Sequence, residues 1–304
     1  MKPIISQKRG CRYWLNLALV GLAGSVLGAL FIFYIAYPIL FTRGATHPKR
    51  APVCCYTPSD LGAAYENVSF VTRDGVTLRG WYIPAQNGAA VLIAHPIAGN
   101  RMGHVHQAAA LAKHGYGALL FDLRAHGESE GDTISFGGED AMAAAAYLKS
   151  RSDVTGRIGA MGFSYGGLVV LQAAAASPDI QAMVSDGATP AKFIDVPPPE
   201  NLEDWLMLPY ERMFFVGFER ERVVAPMSLT EAFIKISPRP ILFVCGAQSR
   251  TDCLLVRHYY SVAQEPKALW EIPDAAHVGG WNVRPEEYEA RIVAFFEEAL
   301  LEKR

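Results

Sequence analysis

The stretch Gly162-Phe163-Ser164-Tyr165-Gly166-Gly167 sets one hydroxyl among small residues, at a spacing that can turn a serine into a nucleophile. A short apolar run, Arg157 to Met161, comes before it and an alanine-rich apolar run, Leu168 to Ala176, comes after, so a buried strand and a packed helix are expected on either side. A serine on a flat surface is a poor nucleophile. On a strained strand-to-helix turn its Oγ is thrust outward, and glycines let the two backbone segments approach. The next amide, that of Tyr165, then points into the same space from the positive end of the helix, where it can steady developing negative charge. The serine also needs a base to take its proton and return it, and histidine suits, since its unperturbed pKa of ~6.5 lies near working pH.

Two further motifs stand upstream. His95-Pro96-Ile97-Ala98-Gly99-Asn100-Arg101 follows an apolar run, and Phe121-Asp122-Leu123-Arg124-Ala125-His126-Gly127-Glu128-Ser129-Glu130-Gly131 follows another. With the serine turn, in this order, they resemble the α/β-hydrolase superfamily, and within it the esterase, lipase and serine-aminopeptidase-like branch. The resemblance runs from about Tyr65 to the C-terminus. It implies that His277, in the loop before the C-terminal helix, is the general base, because the other candidates His95, His104, His106, His114 and His126 precede the serine, against the chain order of that fold. It also implies an acid after the apolar run Ile241 to Cys245, where Ser249 occupies the usual place and Asp252 comes three residues late. Asp252 can orient His277, or it can cap the helix that follows. Asp186 is the second candidate for the acid and Asp274 the third. The oxyanion loop departs from pattern too: Pro96 has no N–H to give, so the donors would be the amides of Ile97 and Tyr165.

These side chains need a scaffold. Asn67 to Thr72 and Leu78 to Ile83, joined through Asp74-Gly75, read as a hairpin. Ala90 to Ala94 and Ala118 to Phe121 are wholly apolar, as suits strands buried on both faces, and Met102 to Lys113 reads as a helix between them. Helices over Gly138 to Ser150, Tyr165 to Ala176 and Pro285 to Glu302 alternate with strands over Arg157 to Phe163, Ile180 to Ser185, Pro240 to Cys245 and Ala268 to Ile272. The expected fold is therefore an α/β-hydrolase fold, a mostly parallel sheet of about eight strands flanked by helices. Residues 188–238 break the rhythm with Pro197-Pro198-Pro199 and an aromatic set, and read as a cap or lid insertion within a 65–304 hydrolase domain.

From Trp14 to Phe41 no residue is charged, and a bilayer core of ~30 Å needs about 20 such residues, so 14–41 reads as a transmembrane helix. A basic segment, 1–13, precedes it and a proline-bearing linker, 42–64, follows. A secretory signal peptide competes with this reading, but its apolar core would be too long and no Ala-x-Ala-like cleavage site follows, which favours an uncleaved signal anchor. Lys2, Lys8, Arg9 and Arg12 outnumber Arg43, Lys49 and Arg50, leaning toward a cytoplasmic N-terminus and an extracytoplasmic catalytic domain.

The remaining composition, 51% apolar and 19% charged over 304 residues with a net charge of −2, is that of a globular enzyme and gives no field for nucleic acid. Of Cys11, Cys54, Cys55, Cys245 and Cys253, none has zinc-site spacing. Two readings of them stand: disulfides joining Cys54 or Cys55 to Cys245 or Cys253, or free buried thiols. No cofactor is implied, since the phosphate-loop pattern is absent. The resemblance implies a serine hydrolase; the apolar 14–41 segment makes it membrane-anchored, and the apolar insertion points to ester or thioester cleavage of a small-molecule, apolar acyl substrate. A peptidase, an acyltransferase and a non-catalytic hydrolase-like scaffold are the alternatives, the last favoured by Pro96 and the altered acid loop.

Overall fold

The computed structural model describes residues 5–302, so that residues 1–4 of the expected basic segment lie outside it, as do 303 and 304. In chain order the elements are α1 (Ile5–Phe31), a π-helical turn (Ile32–Ala36), α2 (Tyr37–Thr46), β1 (Glu66–Val71), β2 (Thr77–Ile83), β3 (Ala89–Ala94), α3 (Val105–Lys113), β4 (Gly117–Phe121) and α4 (Glu139–Lys149). There follow β5 (Arg157–Phe163), α5 (Tyr165–Ala176), β6 (Ile180–Asp186), α6 (Leu202–Arg220), α7 (Leu229–Ile236), β7 (Ile241–Gly246), α8 (Arg250–Val262), β8 (Lys267–Ile272), α9 (Gly280–Val283) and α10 (Pro285–Phe296). They form two compact units, one of the N-terminal stretch to Gly44 with Pro199–Glu221, the other of Ala45–Pro198 with Arg222 onward.

The larger unit is built on one eight-stranded sheet ordered β1-β2-β4-β3-β5-β6-β7-β8. β2 runs antiparallel to β1 and to β4, and the other neighbours are parallel. Every residue of β3 and β4 is buried, as expected of apolar strands covered on both faces. α5 is buried from Tyr165 to Ala174 and apolar but for Gln172, whose amide donates to Met227 O at 2.8 Å, so the helix that begins at the serine is a core element fixed by packing rather than a surface helix.

The smaller unit pairs α6 with the N-terminal helix. α1, the π turn and α2 are continuous, and Arg12–Thr46 is long and apolar enough to cross a membrane by length and composition. Tyr210 of α6 stacks on Phe33 with ring centroids 4.9 Å apart, and Phe214 meets Phe41 edge-on at 5.4 Å. Gly217 matters here, because a Cβ would collide with Thr42. The wider π turn slows the rotation of the helix, so that Phe33, Tyr37 and Phe41 all keep to the side that α6 covers. Of the interval 188–238, then, α6 belongs to this unit, whereas α7 packs in the sheet unit through Phe233 against Phe243 and Tyr259.

Both expectations for the cysteines are overturned. Cys245, at the end of β7, is bonded to Cys253 in the first turn of α8, while Cys54 and Cys55 are free and exposed. The pairing is local because the two bonded thiols meet inside the core where strand turns into helix, whereas Cys54 and Cys55 lie on an extended surface segment. Cys11 is in α1 and its side chain is outside the described set.

Candidate active site

Ser164 stands between β5 and α5 with φ 52° and ψ −116°, a strained conformation for a residue other than glycine. The neighbouring glycines explain how the chain tolerates it. A Cβ at Gly166 would strike the carbonyls of Ala94 and His95, and one at Gly162 would strike the backbone of Gly166. The helix start is therefore wedged against the end of β3. The turn is also tied to the next strand, since the Ser164 amide donates to the Asp186 carbonyl at 2.8 Å.

His277 lies after β8, and its ring reaches the serine: Nε2 is 2.9 Å from Ser164 Oγ. On the far side of the ring, Nδ1 is 3.1 Å from Asp252 Oδ1. With Nδ1–H donating to the carboxylate, Nε2 is left as the acceptor of the serine proton. Asp252 is buried and anchored by its second oxygen, which accepts from the Gly246 amide at 3.0 Å. The hydrogen bond from His277 to Asp252 raises the pKa of the imidazole above its ordinary value, against the opposite pull of burial. The loops that carry the two groups are laced together, Ala247 N donating to Ile272 O at 2.9 Å and Gln248 N to Ala275 O at 3.0 Å.

The three acid candidates thus separate by position. Asp252 is the carboxylate that meets the ring among the described residues. It also sits in the first turn of α8, whose cap is Ser249, accepting from Asp252 N at 3.3 Å. Asp186 is buried at the end of β6 and accepts a hydrogen bond from Tyr288 Oη at 2.6 Å; burial pushes its pKa up to about 6. Asp274 faces Arg284 instead, at 2.7 Å.

Neither the Ile97 amide nor the Tyr165 amide donates to an acceptor among the described residues. The loop that carries Ile97 is held by His95 and His126, which chain order sets aside as bases, and by charged residues of the two upstream motifs. The Ala98 amide donates to His126 Nε2 at 3.2 Å, and the Leu123 amide donates to His95 Nε2 at 3.0 Å, so two buried histidines fasten the loop after β3 to the loop after β4. Burial lowers the pKa of each, which keeps both nitrogens neutral acceptors. Asp122, fully buried, accepts from the Arg101 amide at 2.8 Å and its guanidinium at 2.6 Å, and Arg124 reaches Asp140 at 2.8 Å and Asp74 at 2.7 Å. The charged loop after β4 is therefore a brace tied into the core. Gly187 was also missed: with φ 62° it passes so close to the pair that a Cβ would lie 2.7 Å from His277 Cε1 and 2.8 Å from Asp252 Oδ1.

A mostly parallel eight-stranded sheet with a serine on a strained turn after its fifth strand defines the α/β-hydrolase fold, and this chain has that fold. Residues 64–193 match the family model of X-Pro dipeptidyl-peptidase (S15 family). The esterase Pf2001 of Pyrococcus furiosus is similar in structure, with a TM-score of 0.66 and 27% identity, over 83% of this chain and 99% of that one. The uncharacterized protein YfhR of Escherichia coli (strain K12) is 28% identical over 260 residues, 81% of this chain and 84% of that protein. The α/β hydrolase domain-containing protein WAV2 of Arabidopsis thaliana is 26% identical over 266 residues, 82% and 83% of the two chains.

Proposed function

We propose that this α/β-hydrolase is a membrane-anchored serine hydrolase that cleaves an ester or thioester acyl bond. The single observation that carries the reading is the relay from Asp252 through His277 to Ser164, with contacts of 3.1 and 2.9 Å on the two sides of one imidazole. Ser164 Oγ attacks the acyl carbonyl as its proton passes to His277 Nε2. The carbonyl oxygen, now negative, is held by the amides of Ile97 and Tyr165, each worth about 3 kcal/mol in such a site. Collapse expels the leaving group, which takes the proton from His277 and leaves an acyl-serine. Water then repeats the sequence and frees the acid. Asp252 keeps the ring in the required tautomer and offsets its charge when protonated.

The likeness to an esterase along nearly that protein's whole length supports ester over peptide cleavage, as the S15 match covers only residues 64–193. The apolar helix supports the anchor. A disulfide in the larger unit favours the non-cytoplasmic side for that unit, since cytosolic thiols are kept reduced. A fluorophosphonate probe tests the core of the reading: the full-length protein should label, and Ser164→Ala should not. Pro96, lacking an amide hydrogen where a donor is usual, favours a non-catalytic scaffold as the second reading. Failure of the folded wild type to label would establish that one.

A further inference from the structure

Asp252 is carried by the first turn of a helix rather than by the strand itself. The acid does not come directly off β7. It comes six residues beyond the strand's last residue, Gly246, after a turn through Ala247, Gln248 and Ser249 and one turn into α8. Helix ends fray, and their first turns are held by few backbone bonds. Asp252 has one bond to the strand, from the Gly246 amide at 3.0 Å; its remaining holds are the His277 ring at 3.1 Å, which it is itself meant to orient, and the helix cap at Ser249.

The disulfide falls on this weakness. Cys245 is the neighbour of Gly246, and Cys253 is the neighbour of Asp252, with a sequence separation of 8 and a Cα–Cα distance of 5.2 Å. It therefore ties, covalently, the same two backbone segments that the Gly246 amide and the Asp252 carboxylate tie by one hydrogen bond. Both sulfurs are in the core, Cys245 fully buried and Cys253 3% exposed, and the bridge closes only the turn that leads to the acid. On its other side the same loop is strapped to the chain after β8, Ala247 N donating to Ile272 O and Gln248 N to Ala275 O, so the bridge secures the side that faces the strand.

We propose that the Cys245–Cys253 disulfide is a positioning element for Asp252, so that turnover depends on the oxidised state of this pair. The inference rests on the serine-hydrolase reading. Reduction by a dithiol breaks the Sγ–Sγ bond, passes two electrons and two protons to the cysteines, and closes a cyclic disulfide in the reductant. Asp252 is then held to the strand by the Gly246 hydrogen bond alone, and His277 loses the fixed partner that sets its tautomer.

The test uses the full-length, detergent-solubilised protein prepared without reductant, with the disulfide verified by alkylation and mass spectrometry. In C245A/C253A, probe labelling of Ser164 should persist, while kcat on a p-nitrophenyl ester falls roughly ten- to hundredfold, as a misplaced catalytic group would cause, with KM within a few-fold. The acid limb of the kcat profile should move to lower pH. In an Asp252→Asn background the same cysteine changes should alter kcat less than about twofold, because the partner they position is already gone. If C245A/C253A does not fold, the wild type reduced until both thiols alkylate, with its circular dichroism unchanged, should lose kcat by the same factor and regain it on reoxidation. An unchanged kcat and pH limb without the bridge would overturn the proposal, as would full activity of wild type found reduced, or losses that multiply with Asp252→Asn. Absence of labelling in oxidised wild type would instead bring down the serine-hydrolase reading itself.

Discussion

At the residue scale, the disputed question is which carboxylate serves His277, and the two buried candidates make opposite predictions. Asp252→Asn should cut kcat by roughly 10³–10⁴, since an amide leaves the ring in the wrong tautomer. Because the Asp252 hydrogen bond is the largest cause of the raised imidazole pKa, the acid limb of kcat/KM should also move down in pH in that variant. The base must be neutral to work, so wild-type activity falls as pH drops through the raised value, above the ordinary ~6.5. Asp186→Asn should leave kcat within several-fold, since Asp186 is bonded to Tyr288 rather than to the ring. Its effect should appear in stability. A carboxyl whose pKa is about 6 in the fold and 3.8 outside it favours folding when protonated, and that advantage is lost as pH rises through about 6. Asp186→Asn should therefore stabilise the protein by roughly 2–3 kcal/mol at pH 8 and by almost nothing at pH 4, read from urea midpoints at both. Ser164 and His277 were legible because motif and chain order mark them. The sequence puts Asp252 first of three acids without fixing it, because its place depends on how a turn of several residues bends, and sequence carries little of that.

At the scale of elements, the sheet strands were legible where they are buried on both faces, since β3, β4 and β5 have no polar alternation to confuse them. α6 escaped because Pro209 and interspersed Glu203, Asp204, Glu211 and Arg212 obscure the helical period of its aromatic residues. The loops around the site were legible as motifs but not as a structure. That His95 and His126 are amide acceptors linking two loops follows only from three-dimensional proximity, although a histidine at each strand end was the available signal. The turn after β6 shows how tightly these loops are fitted. Gly187→Ala places a methyl group against His277 and Asp252 and also forces a left-handed backbone on alanine, so the ring and carboxylate must part. A loss of about a hundredfold in kcat is expected, with the urea midpoint lowered by the equivalent of roughly 1–2 kcal/mol. A kcat within a few-fold of wild type would mean that the separation of ring and carboxylate is not set by this turn.

At the scale of the molecule, the N-terminal helix is a packing partner, because α6 rests on it. Tyr210 stacks on Phe33 and Tyr37, at 4.9 and 6.4 Å, and Phe214 rests on Phe41 at 5.4 Å. Each aromatic side chain carries about 150–250 Å² of surface, so uncovering Tyr210 and Phe214 together would open a patch of a few hundred Å², the size that marks association sites on soluble proteins. Removing residues 1–44 should therefore not yield a clean soluble enzyme. The truncated chain should oligomerise or require detergent, as read by light scattering behind size exclusion, even though its larger unit keeps the sheet and Ser164 still labels. Adding Tyr210→Ser and Phe214→Ser to the truncation should restore a monodisperse species, because the surface left behind is then polar. If truncation alone gives a monodisperse, detergent-free monomer, the aromatic face of α6 is not held by the N-terminal helix. The chain would then divide at Gly44 rather than into the two units its packing defines.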